Sequence, residues 1–244
     1  MYSVRIRLAD VRISLDVSYS ETVDFLKDYV ADFDTPDVSV TVLPEDIDAE
    51  CARSAEGGAS FSPRYLETLA LYRKLANALL DFDVLLMHGS SLSMDGKGFV
   101  FTAVSGTGKS THARLWRERY GDRVCMINDD KPLIRFVGGI PRIYGTPWDG
   151  KHRLSTNTSV PLTAIALLER SAENRVDRIK FMTALPTLLS QIYRPDTRDG
   201  MSKTLVLLER LATSVTLHRL MVNMNPEAAE VSYSGMTASE GGSL

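Results

Sequence analysis

The stretch that decides the fold is Ala103-Val104-Ser105-Gly106-Thr107-Gly108-Lys109-Ser110, with Thr111 directly after it. An apolar strand pattern, Gly98 to Ala103, precedes this stretch, and a helical pattern, His112 to Tyr120, follows it. A loop placed between a strand and a helix turns backbone N–H groups toward an anion, at the positive end of the helix. The order strand, loop, helix therefore predicts an anion-binding loop.

The residue types in this loop predict that the anion is a nucleoside triphosphate. Gly106 and Gly108 permit backbone conformations and a close approach that side chains would block. Lys109 supplies a positive charge for the β- and γ-phosphates, and Ser110 supplies a hydroxyl for Mg²⁺. The bare pattern arises by chance in roughly one chain in fifty, so the flanking strand and helix are needed to favour it over a simple glycine-rich turn. The predicted nucleotide-binding residues are Ser105, Gly106, Thr107, Gly108, Lys109, Ser110 and Thr111.

Two carboxylates, Asp129 and Asp130, follow the apolar segment Val124 to Ile127, one predicted helix after the loop. In open α/β sheets the ligand lies beyond the carboxyl ends of the strands, so both aspartates are expected at the edge that carries the loop. One carboxylate there can hold Mg²⁺ while the other accepts a hydroxyl proton. Successive side chains on a strand point to opposite faces, so the two need not share a role. The alternative is a solvated Asn-Asp-Asp turn.

Two further segments are candidates for the same site. His88 follows the apolar strand Val84 to Met87, although a histidine at that place is commonly a loop or core residue. The segment Gly145 to Lys151 is rich in turn residues and could close over a phosphate site, with Lys151 or Arg153 stabilising the transferred charge. The alternative is that Trp148 packs as a structural plug while Lys151 remains solvated.

The first 60 residues predict a small β-rich lobe. Apolar residues alternate with polar ones over residues 4–8 and 11–17, which indicates two strands joined tightly at Ala9-Asp10. A helix is expected from Glu21 to Val30 and a strand from Val38 to Leu43. The stretch Pro44 to Ser60 has no periodicity and is interpreted as a linker or mobile loop.

The rest of the chain predicts an α/β domain, residues 61–235, that begins with a helix at Ser62-Pro63. Alternating strands and helices favour a mixed or parallel sheet. The predicted strands are 84–87, 98–103, 124–127, 164–168 and 216–222, and the helices are 108–119, 181–193, 202–213 and a last one from Asn225-Pro226. Residues 236–244 are small and polar and are expected to be a disordered tail.

Composition excludes several classes of function. The net charge is −3, which gives no global basic field for nucleic acid or anionic lipid. No segment has the roughly 18 consecutive apolar residues of a membrane span. Two cysteines, Cys51 and Cys125, make neither a disulfide framework nor a thiolate metal cage. We therefore expect a cytoplasmic protein with reduced thiols and no nucleic-acid or membrane partner.

Taken together, these motifs resemble the catalytic domain of the HPr serine kinase/phosphorylase family, whose phosphate-loop core is shared with ATP-dependent phosphoenolpyruvate carboxykinase. The resemblance rests on His88-Gly89, Ser105 to Ser110 and Asp129-Asp130. The stretches His112 to Trp116, Asn128 to Pro132 and Gly145 to Lys151 look like an HPr kinase-related branch. The resemblance covers about residues 84 to 230, and its specific motifs lie between 88 and 151.

The resemblance implies a residue-by-residue assignment. It implies that Lys109 and Ser110 bind phosphate and metal, that Asp129 is the catalytic base, that Asp130 is its metal-side partner and that His88 lies beside the γ-phosphate. It also implies homo-oligomers. The family's later Gly- and Arg-containing segment is not recognisable, and the N-terminal lobe does not resemble the family's, so neither phosphorylase activity nor HPr as the substrate follows.

The leading hypothesis is an ATP- and Mg²⁺-dependent kinase that acts on a hydroxyl of a protein, peptide or small molecule, a serine of a protein or peptide being one candidate acceptor. A decarboxylating phosphotransferase like phosphoenolpyruvate carboxykinase is a second hypothesis, although the chain lacks a recognisable carboxylate-binding arginine set. A third is a nucleotide-gated binding module that recognises a peptide through its N-terminal lobe without turnover. The sequence does not distinguish ATP from GTP or pyrophosphate as the donor.

Overall fold

The computed structural model describes residues 1–238, which divide into two compact units. The first unit is Met1–Val84, and the second begins at Leu85. The last helix continues through Thr237, so the prediction of a disordered tail is wrong for residues 236 and 237. The tail predicted at residues 239–244 lies outside the described residues. Across residues 1–238, helices that combine the length and the apolar character needed to cross a membrane are absent.

The first unit contains a sheet of three strands within the described chain, in the order β1-β2-β3. Its strands are β1 Tyr2–Leu8, β2 Val11–Val17 and β3 Val38–Thr41. The predicted hairpin of β1 and β2 is confirmed, and Ala9 and Asp10 at its tip have φ angles of 49° and 59°. A two-residue turn with positive φ has the twist that paired strands require. The predicted helix at 21–30 is shorter, α1 Ser20–Phe25, followed by a 3-10 turn.

The prediction of a linker at Pro44–Ser60 is wrong, because most of that stretch forms α2 Pro44–Glu56. The helix is held largely by charge. Glu50 is 3% exposed and pairs with Arg53 at 2.7 Å and with Arg73 at 2.6 Å. A helix anchored by ion pairs to a buried carboxylate shows little of the apolar periodicity from which helices are predicted.

The next helix, α3 Pro63–Ala78, begins where predicted but belongs to the first unit. The reason is Glu67, which is fully buried and accepts hydrogen bonds from the backbone N–H groups of Ser18 and Tyr19 and from the Thr22 hydroxyl. These bonds tie α3 to the turn after β2. The units consequently divide after Val84 rather than near residue 60.

The large sheet has nine strands in the described part of the chain, with the path order β4-β8-β9-β10-β6-β5-β7 and with β12 between β10 and β11. The strands are β4 Val84–Leu86, β5 Ser90–Met94, β6 Lys97–Thr102, β7 Val124–Asn128, β8 Leu133–Val137, β9 Ile140–Tyr144, β10 Ser159–Arg170, β11 Arg175–Arg178 and β12 Thr216–Val222. The sequence predicted β4, β6, β7, β10 and β12 but not β5, the β8–β9 hairpin or β11.

Strand direction brings the predicted motifs to one edge. β10 is parallel to both β6 and β12. β5 lies between β6 and β7 and is antiparallel to each, so β6 and β7 run in the same direction. The loop after β6 and the aspartates after β7 are therefore at the same end of the sheet. The chain is a mixed α/β protein, as predicted.

Helix α4 is fixed against the sheet by aromatic packing. The helices of this unit are α4 Lys109–Tyr120, α5 Phe181–Gln191, α6 Arg198–Ser214 and α7 Glu227–Thr237. Trp116 of α4 is fully buried, with ring centroids 5.2 Å from Phe99, 5.5 Å from Phe101 and 5.6 Å from Tyr233. Its indole N–H donates to the Ser232 hydroxyl of α7 at 2.7 Å. This packing holds the first turn of α4 at the carboxyl end of β6.

Candidate functional site

The loop between β6 and α4 has the backbone that its glycines predict. Gly106 has φ of 79° and Gly108, the residue before α4, has φ of 121°. Residues with side chains rarely adopt these angles, so both positions require glycine. Ser105 and Gly106 are exposed, while the Thr107 hydroxyl donates to the Val104 carbonyl at 2.8 Å. The first N–H groups of α4 lack partners within the helix, which makes this end of it suitable for an anion.

The Lys109 side chain folds back against this loop. The residue is 9% exposed, and its ammonium Nζ donates to the Ala103 carbonyl at 2.9 Å. Burial lowers the pKa of Lys109, the nearby charge of Asp130 opposes that shift, Lys131 adds to it, and Asp129 opposes it. The lysine therefore lies within electrostatic reach of both predicted carboxylates.

A residue that the sequence analysis did not single out, Asn128, shapes the turn that carries the aspartates. It is fully buried at the end of β7. Its amide oxygen accepts from the backbone N–H groups of Asp130 at 2.8 Å and of Lys131 at 2.6 Å. Its amide N–H₂ donates to the carbonyl oxygens of Thr146 at 3.1 Å and of Trp148 at 3.3 Å. The same side chain thus joins the aspartate turn to the 145–158 segment.

Asp129 is held in a nearly buried position. It is 8% exposed, and the Ser90 hydroxyl donates to its Oδ1 at 2.5 Å. A Cβ added to Gly150 would lie 3.0 Å from Asp129 Oδ2 and 3.1 Å from its carbonyl oxygen. Glycine at position 150 therefore leaves the second carboxylate oxygen free of side-chain crowding from that loop.

Asp130 faces a different set of residues. Its Oδ1 is 3.4 Å from His88 Nε2 and 3.3 Å from Lys131 Nζ. His88 Nδ1 lies 2.8 Å from the side-chain oxygen of Gln191, which accepts, so Nδ1 carries the proton. Burial lowers the pKa of His88, as do the charges of Lys131 and Lys109, while Asp130 and the Gln191 hydrogen bond oppose this shift. His88 is accordingly neutral near pH 7.

Arg170 is a second residue that the sequence analysis did not identify. It is the last residue of β10, and its guanidinium donates to the carbonyl of Thr107 at 3.0 Å and to that of Gly106. β10 pairs in parallel with β6, so its carboxyl end meets the loop. The available signal was an arginine just past the predicted strand 164–168.

Cavities open on different sides of the loop. One, of about 540 Å³, is lined by Ala103 to Thr107, Leu167 to Arg170 and Thr187. Another, of about 450 Å³, is lined by Gly106 to Gly108, Thr111, His112, Leu168, Arg170, Ser171 and Val222 to Met224. A third, of about 390 Å³, is lined by Ser110, Thr111, Ala113, Arg114, Arg117, Met126, Asp129, His152 and Leu154. Ser110 and Asp129 therefore border the same space.

The segment from Gly145 packs against the site as a structural element. Trp148 is 8% exposed, whereas Lys151 and Arg153 are exposed. A Cβ at Gly145 would lie 2.0 Å from the Thr156 carbonyl oxygen and 2.8 Å from that of Ile127, so the backbone passes too closely for any other residue. The interpretation of Trp148 as a plug with Lys151 solvated describes this arrangement.

The donor set suits a hard cation. Ser110 supplies a hydroxyl, Asp129 and Asp130 supply carboxylates, and Mg²⁺ prefers such oxygen ligands. Within residues 1–238, the structure has no group of three or more His, Cys, Asp or Glu residues that could hold a metal ion. Mg²⁺ commonly uses one or two carboxylates, with waters and substrate phosphates completing its shell, so the residues present fit it.

Comparisons with known proteins find matches in structure but not in sequence. No protein-family model matches the chain, and no curated protein matches it in sequence. Among solved structures, the chain is similar to the Hpr(Ser) kinase/phosphatase from Coxiella burnetii at 10% identity and a TM-score of 0.33. That match covers 61% of this chain and 94% of the other. At this identity and TM-score the likeness is a distant structural relationship at most.

Proposed function

We propose that this protein is an ATP- and Mg²⁺-dependent kinase that transfers the γ-phosphoryl group to a hydroxyl, the acceptor being a serine of a protein or peptide. The observation that supports the proposal is strand direction: β6 and β7 run the same way, so Lys109 after β6 and the aspartates after β7 lie at one end of the sheet. Phosphoryl transfer needs positioning and charge neutralisation more than covalent chemistry, and these groups provide both.

The loop and its neighbours would bind the polyphosphate. The Lys109 ammonium donates to a neutral carbonyl, that of Ala103, and a phosphate oxygen is the stronger, charge-assisted acceptor. Lys109 would turn to the β- and γ-phosphates when the nucleotide binds. The guanidinium of Arg170 adds a second positive charge on the carbonyl side of the loop.

Asp129 would act as the base. Ser90 fixes one of its carboxylate oxygens, and the other lies beside Gly150, which has no side chain. The acceptor oxygen attacks the γ-phosphorus, the bond to the β–γ bridging oxygen breaks, the hydroxyl proton passes to Asp129, and ADP leaves. The cavity that Asp129 shares with Ser110 gives the acceptor a route to this carboxylate.

Asp130 and Ser110 would hold Mg²⁺, which neutralises charge on the β- and γ-phosphate oxygens. Asp130 Oδ1 lies 3.3 Å from Lys131 Nζ, so this carboxylate already faces one cationic group. His88 would lie beside the γ-phosphate, whose negative charge favours the imidazolium form that donates from Nε2. Gln191 orients the His88 ring for that contact.

The proposal is tested by comparing Lys109→Ala with Lys97→Ala, since Lys97 is an exposed lysine at the opposite end of β6. Mg-ATP binding is measured by calorimetry, and transfer is measured with labelled ATP and a library of serine peptides. Loss of the loop charge should lower kcat/KM by about 10²-fold or more, while Lys97→Ala retains the wild-type rate.

The outcomes separate the hypotheses. Absence of Mg-nucleotide binding at millimolar concentration, or a Lys109→Ala variant as active as the wild type, would contradict a kinase centred on this loop. Tight binding without turnover on any acceptor would identify a nucleotide-gated binding module instead. GTP and pyrophosphate, tested beside ATP, identify the donor.

A further inference from the structure

The cavity that Ser110 and Asp129 share has an uneven distribution of charge. Asp129 is the only carboxylate that borders it among the described residues, and it lies with Ser110 at the end near the loop. Ala113, Met126 and Leu154 provide apolar contacts. Three side chains that can be cationic, those of Arg114, Arg117 and His152, complete the lining.

Helix geometry places two of these side chains in line with Ser110. Residues at spacings of four and seven share a face of a helix, so Ser110, Arg114 and Arg117 form one stripe along α4. Trp116 is fully buried in the core, which leaves this stripe free for the cavity. Seven residues of helix separate Ser110 from Arg117 by about 10 Å. Arg117 is therefore too far along α4 to serve the loop that would hold the phosphates.

Arg117 is the uncompensated charge in this group. Arg114 is paired with Glu118 at 2.6 Å. Arg117 is half-buried, and within residues 1–238 its side chain has neither a hydrogen bond nor an ion pair. His152 is exposed and is likewise unpaired in the described chain. A half-buried guanidinium without a protein partner is a suitable binding point for an external anion.

We propose that this cavity binds the acceptor, and that the acceptor is a serine peptide with an acidic residue about three positions from the serine. The inference rests on the proposed kinase function. The serine hydroxyl lies at Asp129, which takes its proton as the new O–P bond forms and ADP leaves. The acidic side chain pairs with Arg117. Ser110 borders the cavity together with Asp129, and Arg117 lies roughly 10 Å further along α4 than Ser110. An extended chain spans about 3.3 Å per residue, so a peptide that follows α4 from the Ser110 end covers this length with about three residues.

The test uses short peptides with one central serine in a neutral background. Glutamate is placed in turn at each neighbouring position, and glutamine at the same position is the matched peptide. Transfer from labelled Mg-ATP gives kcat/KM for each pair. A glutamate about three positions from the serine should raise kcat/KM about 10-fold over glutamine, as expected for a charge-assisted hydrogen bond in a partly desolvated site.

Variants of the intact protein assign the preference to one side chain. Arg117→Gln should bring the glutamate-to-glutamine ratio close to one, and Arg117→Glu should reverse the preference in favour of a lysine peptide. Arg119→Gln is the matched control, because Arg119 is on the same helix but is paired with Glu230 and does not line the cavity. It should keep the wild-type ratio. Mg-ATP affinity, measured for every variant, verifies that the fold is retained.

The outcomes distinguish the two proposals. Equal rates on the glutamate and glutamine peptides, or a preference that survives in Arg117→Gln, would overturn this inference while the transfer itself upholds the kinase. Nucleotide binding without phosphorylation of any peptide would also overturn it. A protein that binds no nucleotide would end both proposals.

Discussion

Asp129 and Asp130 are adjacent in the chain but have different surroundings. Asp129 is nearly buried and receives the Ser90 hydroxyl, whereas the Asp130 side chain is 36% exposed and faces His88 and Lys131. Both follow the last residue of β7, in the turn that Asn128 shapes, and this turn gives their side chains different neighbours. Two carboxylates with such different partners are suited to two different tasks.

The separate roles can be measured by replacing each aspartate with asparagine. Asp129→Asn should lower kcat by about 10²- to 10⁴-fold at every Mg²⁺ concentration, because the group that takes the proton is lost. Asp130→Asn should instead raise the Mg²⁺ concentration needed for half-maximal activity by about 10-fold or more. A Mg²⁺ titration of both variants makes the comparison. If the two patterns were exchanged, the assignment of base and metal ligand would be reversed.

The sequence could predict some residues of this site but not others. Lys109, Ser110 and the aspartates lie in short contiguous patterns with a chemical meaning, so they could be identified and placed at one edge. Their partners are distant in the chain: Ser90 is 39 residues from Asp129, and Gln191 is 103 residues from His88. A serine or a glutamine carries no distinctive local pattern, so only the fold reveals such contacts.

At the scale of elements, α4 links the site to the core through its buried face. His112 is 2% exposed, and its Nε2 lies 3.0 Å from the Ser232 hydroxyl and accepts the Trp116 indole N–H at 3.1 Å. Burial lowers the pKa of His112 from 6.5 to about 4. The histidine thus packs as a neutral residue in the first turns of the helix.

This burial predicts a pH dependence of stability. In the unfolded chain His112 binds a proton below about pH 6.5, whereas in the folded chain it does so only below about pH 4. Between these values the unfolded chain binds more protons, so the free energy of unfolding falls as the pH drops from 6.5 to 4. At pH 4.5 this contribution should be about 2–3 kcal/mol. Urea unfolding at pH 7 and at pH 4.5 should show that the free energy of unfolding decreases less between these two pH values in His112→Gln than in the wild type. The exposed His152→Gln should match the wild type, and an equal loss in both variants would refute this account.

Elements were predictable where their pattern was local and apolar. The β1–β2 hairpin, α4 and β12 follow directly from periodicity or from turn residues. Helix α2 was missed because Glu50 and its arginine partners, rather than an apolar stripe, hold it in place. The β8–β9 hairpin was missed although Gly138 and Gly139, with φ of 56° and 84°, mark its turn. The two glycines indicate a turn, but a turn alone does not establish that the segments on either side of it pair as strands.

At the scale of the whole molecule, each of the two units has its own buried core. In the second, Phe99, Phe101 and Trp116 are at the centre, and every residue of the candidate site belongs to that unit. In the first, Ile13 and Leu15 are fully buried, and Glu67 joins α3 to the chain after β2. The domain boundary predicted near residue 60 differs from the division after Val84, because no local sequence pattern shows that α3 is bound to the first unit through a buried carboxylate.

Removing that carboxylate should affect one unit alone. Glu67→Ala leaves the N–H groups of Ser18 and Tyr19 without their acceptor, which should lower the stability of the first unit by about 2–4 kcal/mol. The affinity for Mg-ATP should not change. Urea unfolding and calorimetry of the variant, beside the exposed control Glu56→Ala, measure both quantities. A nucleotide affinity that fell together with stability would contradict the confinement of the site to the second unit.

The hydrogen bonds of Arg170 to the loop should affect both the rate and the affinity of ligand binding. By engaging the carbonyls of Gly106 and Thr107, it restrains the loop before any ligand arrives. A binding loop that is already ordered loses little conformational entropy when a ligand binds, so more of the interaction energy contributes to affinity. Encounters would then succeed without waiting for the loop to rearrange.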